Sequence, residues 1–155
     1  MADEREPLDE FHDEPLFMAI DANDPAMAEA MDKARQRISR FRDFISSKTD
    51  PETVHSAKIR VSVDGRFFFI WVSFVSCEGE RFLGRAIQPP REVTFLRPGM
   101  FIRFVIEDLW DWMVHENGHL FGGFSMRVMR TLLPERRRAS FDSHSGVEVY
   151  EPEDA

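Results

Sequence analysis

From Asp24 onward, apolar residues recur at Met27, Met31, Ala34, Ile38, Phe41 and Ile45, with spacings of 4, 3, 4, 3 and 4. That rhythm holds them on one side of a helix of about 22 residues. Its other side carries Glu29, Asp32, Lys33, Arg35, Arg37, Arg40 and Arg42, while Asp24 and Pro25 supply an N-cap and a first-turn proline. From Ser56 the period drops to two. Ala57, Ile59, Val61 and Val63 alternate with Lys58, Arg60 and Ser62, which predicts a strand, and Asp64-Gly65 fits a type I′ turn. Residues 66–77 then return as a strand that is apolar on both faces over much of its length. This places it centrally in a sheet, with Phe69 and Trp71 on one side and Ile70 and Val72 on the other.

The same reading continues through a Glu78-Gly79-Glu80 turn into a strand over residues 81–87. Gln88-Pro89-Pro90 stops that strand, because proline cannot donate to a ladder. Leu96-Arg97-Pro98-Gly99 forms a tight turn before a strand over residues 100–106, and residues 107–113 begin a bent strand. Asn117-Gly118 predicts a hairpin joining residues 112–115 to residues 119–124. Val128, Met129, Leu132 and Leu133 then mark a terminal strand or short helix ended by Pro134, and residues 135–141 form a short basic helix. The fold class predicted is α+β: an N-terminal amphipathic helix packed on an antiparallel sheet of five to six strands, with a short C-terminal helix.

Charge adds a division into segments. Residues 1–24 carry nine acids against Arg5, residues 142–155 carry five acids and no Lys or Arg, and the body between them is net +5 within an overall −8. Acidic, proline-punctuated ends low in apolar content predict flexible tails over residues 1–22 and 142–155, around one domain at 23–141. The alternative for the tails is a shield folded back over the basic region between Arg127 and Arg138. No apolar run approaches the roughly 18 residues of a membrane helix. The acidic start MADEREPLDEFHDEP lacks the pattern of a secretory signal and Cys77 is the single cysteine, so a reducing cytoplasm is the expected location.

Few side chains group into a reactive constellation. His115-Glu116-Asn117-Gly118-His119 matches H-E-x-x-H formally, but that zinc chemistry needs a continuous helix, and Asn-Gly favours a hairpin. Cys77 stands beside Glu78 and Glu80, which disfavour a thiolate. Gly122-Gly123 reads as a bulge rather than a phosphate loop. Neither a metal, a cofactor nor a catalytic set is expected, and acidic ends argue against nucleic acid. Trp110-Asp111-Trp112 is the densest unusual cluster: on a regular strand both indoles share one face, as core anchors or as an interface hot spot.

In order, these features resemble the bacterial family called Domain of Unknown Function 2314. The resemblance spans residues 27–133 and rests on the early helix, on Trp71 in its hydrophobic strand, and on Phe82-x-Gly84 followed by Pro89. It continues in Leu96-x-x-Gly99, Asp111-Trp112-Met113 and Gly122-Gly123-Phe124-Ser125-x-Arg127. The resemblance implies a helix on a strongly curved antiparallel sheet and transfers no activity. Phe68-Phe69, Gln88, Met100 and Phe124 depart from the family's more polar pattern.

Two functions from different classes remain. The first is a non-catalytic intracellular protein-binding module, of the immunity or regulatory kind, monomeric or weakly dimeric, whose partner offers a basic surface to the acidic ends. Its candidate binding residues are Trp71, Trp110, Asp111, Trp112, Arg127 and Arg130. The second is a small-molecule-binding or hydrolytic domain with a pocket around Asp111, His115 and Arg127.

Overall fold

The computed structural model describes residues 24–47 and 50–155; the acidic stretch expected over residues 1–22 falls outside them. The order is α1 (Pro25–Gln36), α2 (Ile38–Ser46), β1 (Val54–Val63), β2 (Arg66–Glu78), β3 (Arg81–Ala86) and β4 (Phe101–Phe104). A 3-10 turn (Ile106–Asp108) then leads to β5 (Leu109–Glu116), β6 (His119–Gly122), α3 (Phe124–Leu132), α4 (Glu135–Ser145) and β7 (Val149–Tyr150). The strands form one open sheet in the order β4-β3-β2-β1-β5-β6-β7, antiparallel throughout except for the β6–β7 pair. No described helix is long and apolar enough to cross a membrane.

The single N-terminal helix expected from the spacing is two helices. Arg37 leaves helical geometry at φ −108° and ψ 22°. The cause lies 78 residues away: the Trp112 indole N–H donates to the Ala34 carbonyl at 3.0 Å. The chain then redirects so that Phe41 stacks on the same indole, with centroids 5.0 Å apart and planes 18° apart. Arg35 fixes the approach by donating to the carbonyls of Leu109 at 3.0 Å and Glu107 at 2.8 Å. Below these helices lies the core face of the sheet, where Ala57, Ile59, Ile70, Val72, Phe82, Trp112 and Val114 are buried.

Asp64-Gly65 and Asn117-Gly118 turn their hairpins with positive φ at both residues of each pair, as expected. Two bulges alter the faces. The β1–β5 register passes from Lys58 opposite Asp111 to Ile59 opposite Leu109, which leaves Trp110 as the extra residue. Trp110 therefore packs against Phe69, on the side of Lys58 and Asp111, while Trp112 points into the core. The expectation that both indoles share one face is thus corrected. The second bulge lies between Ser73 and Ser76 of β2. There Phe74 takes φ +56°, so it turns outward while Val75 drops into the core.

The C-terminal stretch also differs from the expected tail. α4 continues past Phe141 to Ser145, and Val149–Tyr150 supplies the seventh strand by pairing with His119 and Leu120. Polar bonds hold it. Arg130 grips Asp142 with two contacts at 2.8 and 2.9 Å, the Tyr150 hydroxyl donates to Asp142 at 2.5 Å, and Lys33 reaches Glu153 at 3.0 Å. The acids that suggested a solvated tail are the acceptors of these bonds.

Candidate functional site

Asp111 is wholly buried on β5 at the point where β6 hands over to α3. The N-cap of that helix is Gly123, at φ +64°, which has no side chain to satisfy the first N–H groups. Asp111 does so from the neighbouring strand. Its Oδ1 accepts from Phe124 N at 3.0 Å and from Trp112 N at 2.8 Å, and its Oδ2 accepts from Ser125 N at 2.8 Å and Ser125 Oγ at 2.5 Å. A carboxylate at a helix N-terminus also meets the positive end of the helix dipole. Gly122 makes the junction possible: a Cβ there would sit 2.6 Å from the Trp112 carbonyl oxygen and 2.7 Å from its ring. Phe124 closes the corner edge-on to Trp112 at 5.5 Å, and Arg127 ties it by donating to the carbonyls of Gly122 at 2.8 Å and Leu120 at 3.3 Å.

Burial pushes the Asp111 carboxyl up from 3.8 to about 6, against the opposing pull of the Ser125 hydrogen bonds, the Lys58 charge and the Phe124 N–H. The fold therefore prefers the protonated acid. That preference is fully present below pH 4 and is lost as the pH rises through 6, a change of about 3 kcal/mol at 1.36 kcal/mol per pKa unit. We expect the Asp111 carboxyl carbon to titrate in NMR with a midpoint near pH 6, and the wild type to gain stability relative to Asp111→Asn between pH 7 and pH 5. A midpoint below 4 would show that the donors outweigh burial. Asp142 behaves oppositely: burial pushes it up, but the bonds from Arg130 and Tyr150 prevail and hold it below the ordinary carboxylate value.

The other candidate residues do not gather around Asp111 as one pocket. His115 meets the Gly146 carbonyl at 2.9 Å, His119 meets Glu151 at 2.6 Å, and the guanidinium of Arg127 is turned to the backbone. The two histidines pair with Leu120 and Glu116 across the hairpin, and the described residues include no cluster of three His, Cys, Asp or Glu able to hold a metal. Arg130 serves Asp142, with Tyr150 5.0 Å beneath its guanidinium. Trp112 is core. Trp110 has a buried Nε1 without an acceptor among the described residues.

Trp71 stands elsewhere, in the wall of a cavity of about 170 Å³ between the sheet and the α3–α4 pair. Met113, Met126, Met129 and Phe141 line it with Trp71, and Lys58, Ser125 and His144 add polar atoms. The sequence reading did not assemble this set. Its members come from five elements far apart along the chain, so no local pattern joins them.

Beyond the cavity the same side of the sheet lies open. Phe67, Phe74 and Phe101 are 56%, 59% and 60% exposed. Arg60 lies over the Phe67 ring at 4.4 Å, and Arg85 lies between Phe74 and Phe101 at 5.8 and 5.6 Å. Ser73, Arg85 and Phe101 follow one another across β2, β3 and β4 in register. A detectable signal for the bulge was the odd spacing of Ser73 and Ser76, two outward polar residues that strict alternation cannot place on one face.

Fold and site together define an open-sheet α+β domain whose C-terminal helices are anchored by a buried strand carboxylate. The chain belongs to the bacterial family described as an uncharacterised protein conserved in bacteria (DUF2314), whose model matches residues 24–149. The Asp111-Trp112 and Gly122-Gly123-Phe124-Ser125-x-Arg127 features of the sequence are the parts of that anchor. Among curated proteins, the chain is similar to a "Putative ankyrin repeat protein" of Neisseria meningitidis serogroup B, 28% identical over 83 residues, 54% of this chain. The match spans only 33% of that protein's length. It is also similar to the Escherichia coli K12 protein described as "Uncharacterized protein YegJ", 26% identical over 110 residues, 71% of each chain. No solved structure matches.

Proposed function

We propose that this chain is a non-catalytic intracellular protein-binding module, of the regulatory or immunity kind, whose interface is the open sheet face around Phe74. The observation that carries the reading is Phe74 itself. A phenylalanine at φ +56° is strained by about 1–2 kcal/mol, and here the strain presents a large apolar ring to solvent. Nothing in the core gains from that ring. Aromatic residues and arginine are the side chains enriched in interface hot spots, and Arg60 and Arg85 are already ordered over the phenylalanines. The face suits a partner with apolar side chains ringed by carboxylates, whereas the acidic ends favour basic groups elsewhere on it. The similarity to a protein described as an ankyrin repeat protein adds modest support, since such repeats stack into binding surfaces.

Phe74→Gly tests this directly. Glycine accepts positive φ, so the variant is expected to match or exceed wild-type stability by up to about 1 kcal/mol. A partner captured stoichiometrically by the wild type is expected to be lost with Phe74→Gly and with Arg85→Glu, at unchanged melting temperature or above. Capture that survives both substitutions would remove the face from the interaction, and the absence of a stoichiometric partner would overturn the module.

A further inference from the structure

We infer that β4 is the pairing edge for a second copy of this chain, the two strands running antiparallel and centred on Ile102. β4 ends the sheet, and no described strand borders it on the side away from β3. The ladder shows which of its backbone groups face that side. Ala86 N donates to the Met100 carbonyl at 2.8 Å, and the β3–β4 register continues with Gly84 opposite Ile102 and Phe82 opposite Phe104. Bonded and non-bonded pairs alternate in an antiparallel ladder, so Met100, Ile102 and Phe104 turn their N–H and C=O groups to β3. Phe101 and Arg103 turn theirs outward, where no described backbone group meets them. Phe101 is 60% exposed and the Arg103 side chain 62%, so the edge is open among the described residues.

This edge is complementary to itself. With a two-fold axis at Ile102, Phe101 lies opposite Arg103 of the second copy and Arg103 opposite its Phe101, each pair exchanging two backbone hydrogen bonds. On the outer face a guanidinium then meets a phenyl ring, as Arg85 and Phe101 already do across β3 and β4 at 5.6 Å. On the other face the two Ile102 side chains meet at the axis and extend the core that Ile102 already packs against. Repulsion between the two Arg103 groups is offset, because each is held by Glu78 at 2.9 Å. The bulges, prolines and inward-pointing charges that blunt other sheet edges are missing from Phe101–Phe104. The strand is short, so the pairing is weak and depends on concentration. It uses no atom of Phe74, and the proposed partner face can fail without it.

Sedimentation equilibrium of the full chain, joined to amide hydrogen exchange read by NMR, tests the pairing. A reversible monomer–dimer equilibrium is expected, with the N–H groups of Phe101 and Arg103 gaining protection several-fold as the dimer accumulates. Phe101→Arg sets guanidinium groups opposite one another and is expected to weaken dimerisation about tenfold, whereas Phe101→Glu offers Arg103 of the second copy a carboxylate and is expected to preserve it. Both changes fall on an exposed side chain, so an unchanged melting temperature is expected of each. A monomer at every concentration would overturn the inference, as would equal effects of the two substitutions. Dimerisation that leaves both amides unprotected would place the interface elsewhere, and protection of those amides in a monomer would mean that the edge is closed within the chain; either result also overturns it.

Discussion

Asp111→Ala is expected to cost more than about 4 kcal/mol, enough to unfold a domain of ordinary stability near room temperature. The substitution leaves the N–H groups of Trp112, Phe124 and Ser125 and the Ser125 hydroxyl without their acceptor in a site closed to water. Each orphaned buried donor costs about 1–3 kcal/mol. Asp111→Asn should be milder, about 2 kcal/mol. One oxygen still serves Trp112 and Phe124, the hydroxyl of Ser125 can rotate to accept from the new amide, and the burial of a charge is avoided. Only the Ser125 N–H is then stranded. Urea unfolding at pH 7 separates the two variants; equal losses would show that the charge, rather than the count of acceptor sites, is what the helix requires.

Gly122→Ala should be as damaging, for a steric reason. The new methyl would lie 2.6 Å from a backbone oxygen and 2.7 Å from an indole, with φ already at +72°. Trp112 cannot give way, since its ring is stacked on Phe41 and its N–H is committed to Ala34. Gly65→Ala is the natural control: its φ is +78° but nothing lies within 4 Å of the added carbon. It should cost about 1 kcal/mol, the strain alone, whereas Gly122→Ala should lose at least about 3 kcal/mol or fail to fold. Similar melting temperatures for the two variants would mean that the β5–β6 corner yields.

Local rules read much of this fold from the sequence. Period-two alternation located β1, a run apolar on both faces located β2, Asp-Gly and Asn-Gly placed two hairpins, and Gln88-Pro89-Pro90 ended β3, because each depends on neighbours along the chain. The break at Arg37 was hidden because the residue that causes it, Trp112, is far away in sequence. The packing of residues 142–155 was hidden for a different reason. Composition counts acids as solvated, whereas Asp142, Glu151 and Glu153 each have a basic or hydroxyl partner supplied by another element. Of the candidate residues, Asp111 is a helix cap and Trp112 a core anchor. Trp71 lies in the wall of a cavity, and Phe74, strained and exposed, would by simple alternation share the buried face of Ile70 and Val72, from which the bulge removes it.

The dependence of α1 on Trp112 also bears on synthesis. An emerging chain presents the helix with its apolar stripe long before its anchor exists, since the Arg35 contact with Leu109 closes a span of 74 residues. At about 5–20 residues per second, the stripe waits roughly 4–15 s for β5 to leave the ribosome. During that interval Met27, Met31, Phe41 and Ile45 form a naked amphipathic surface, and nascent-chain chaperones that recognise such surfaces have their longest opportunity before Trp112 appears.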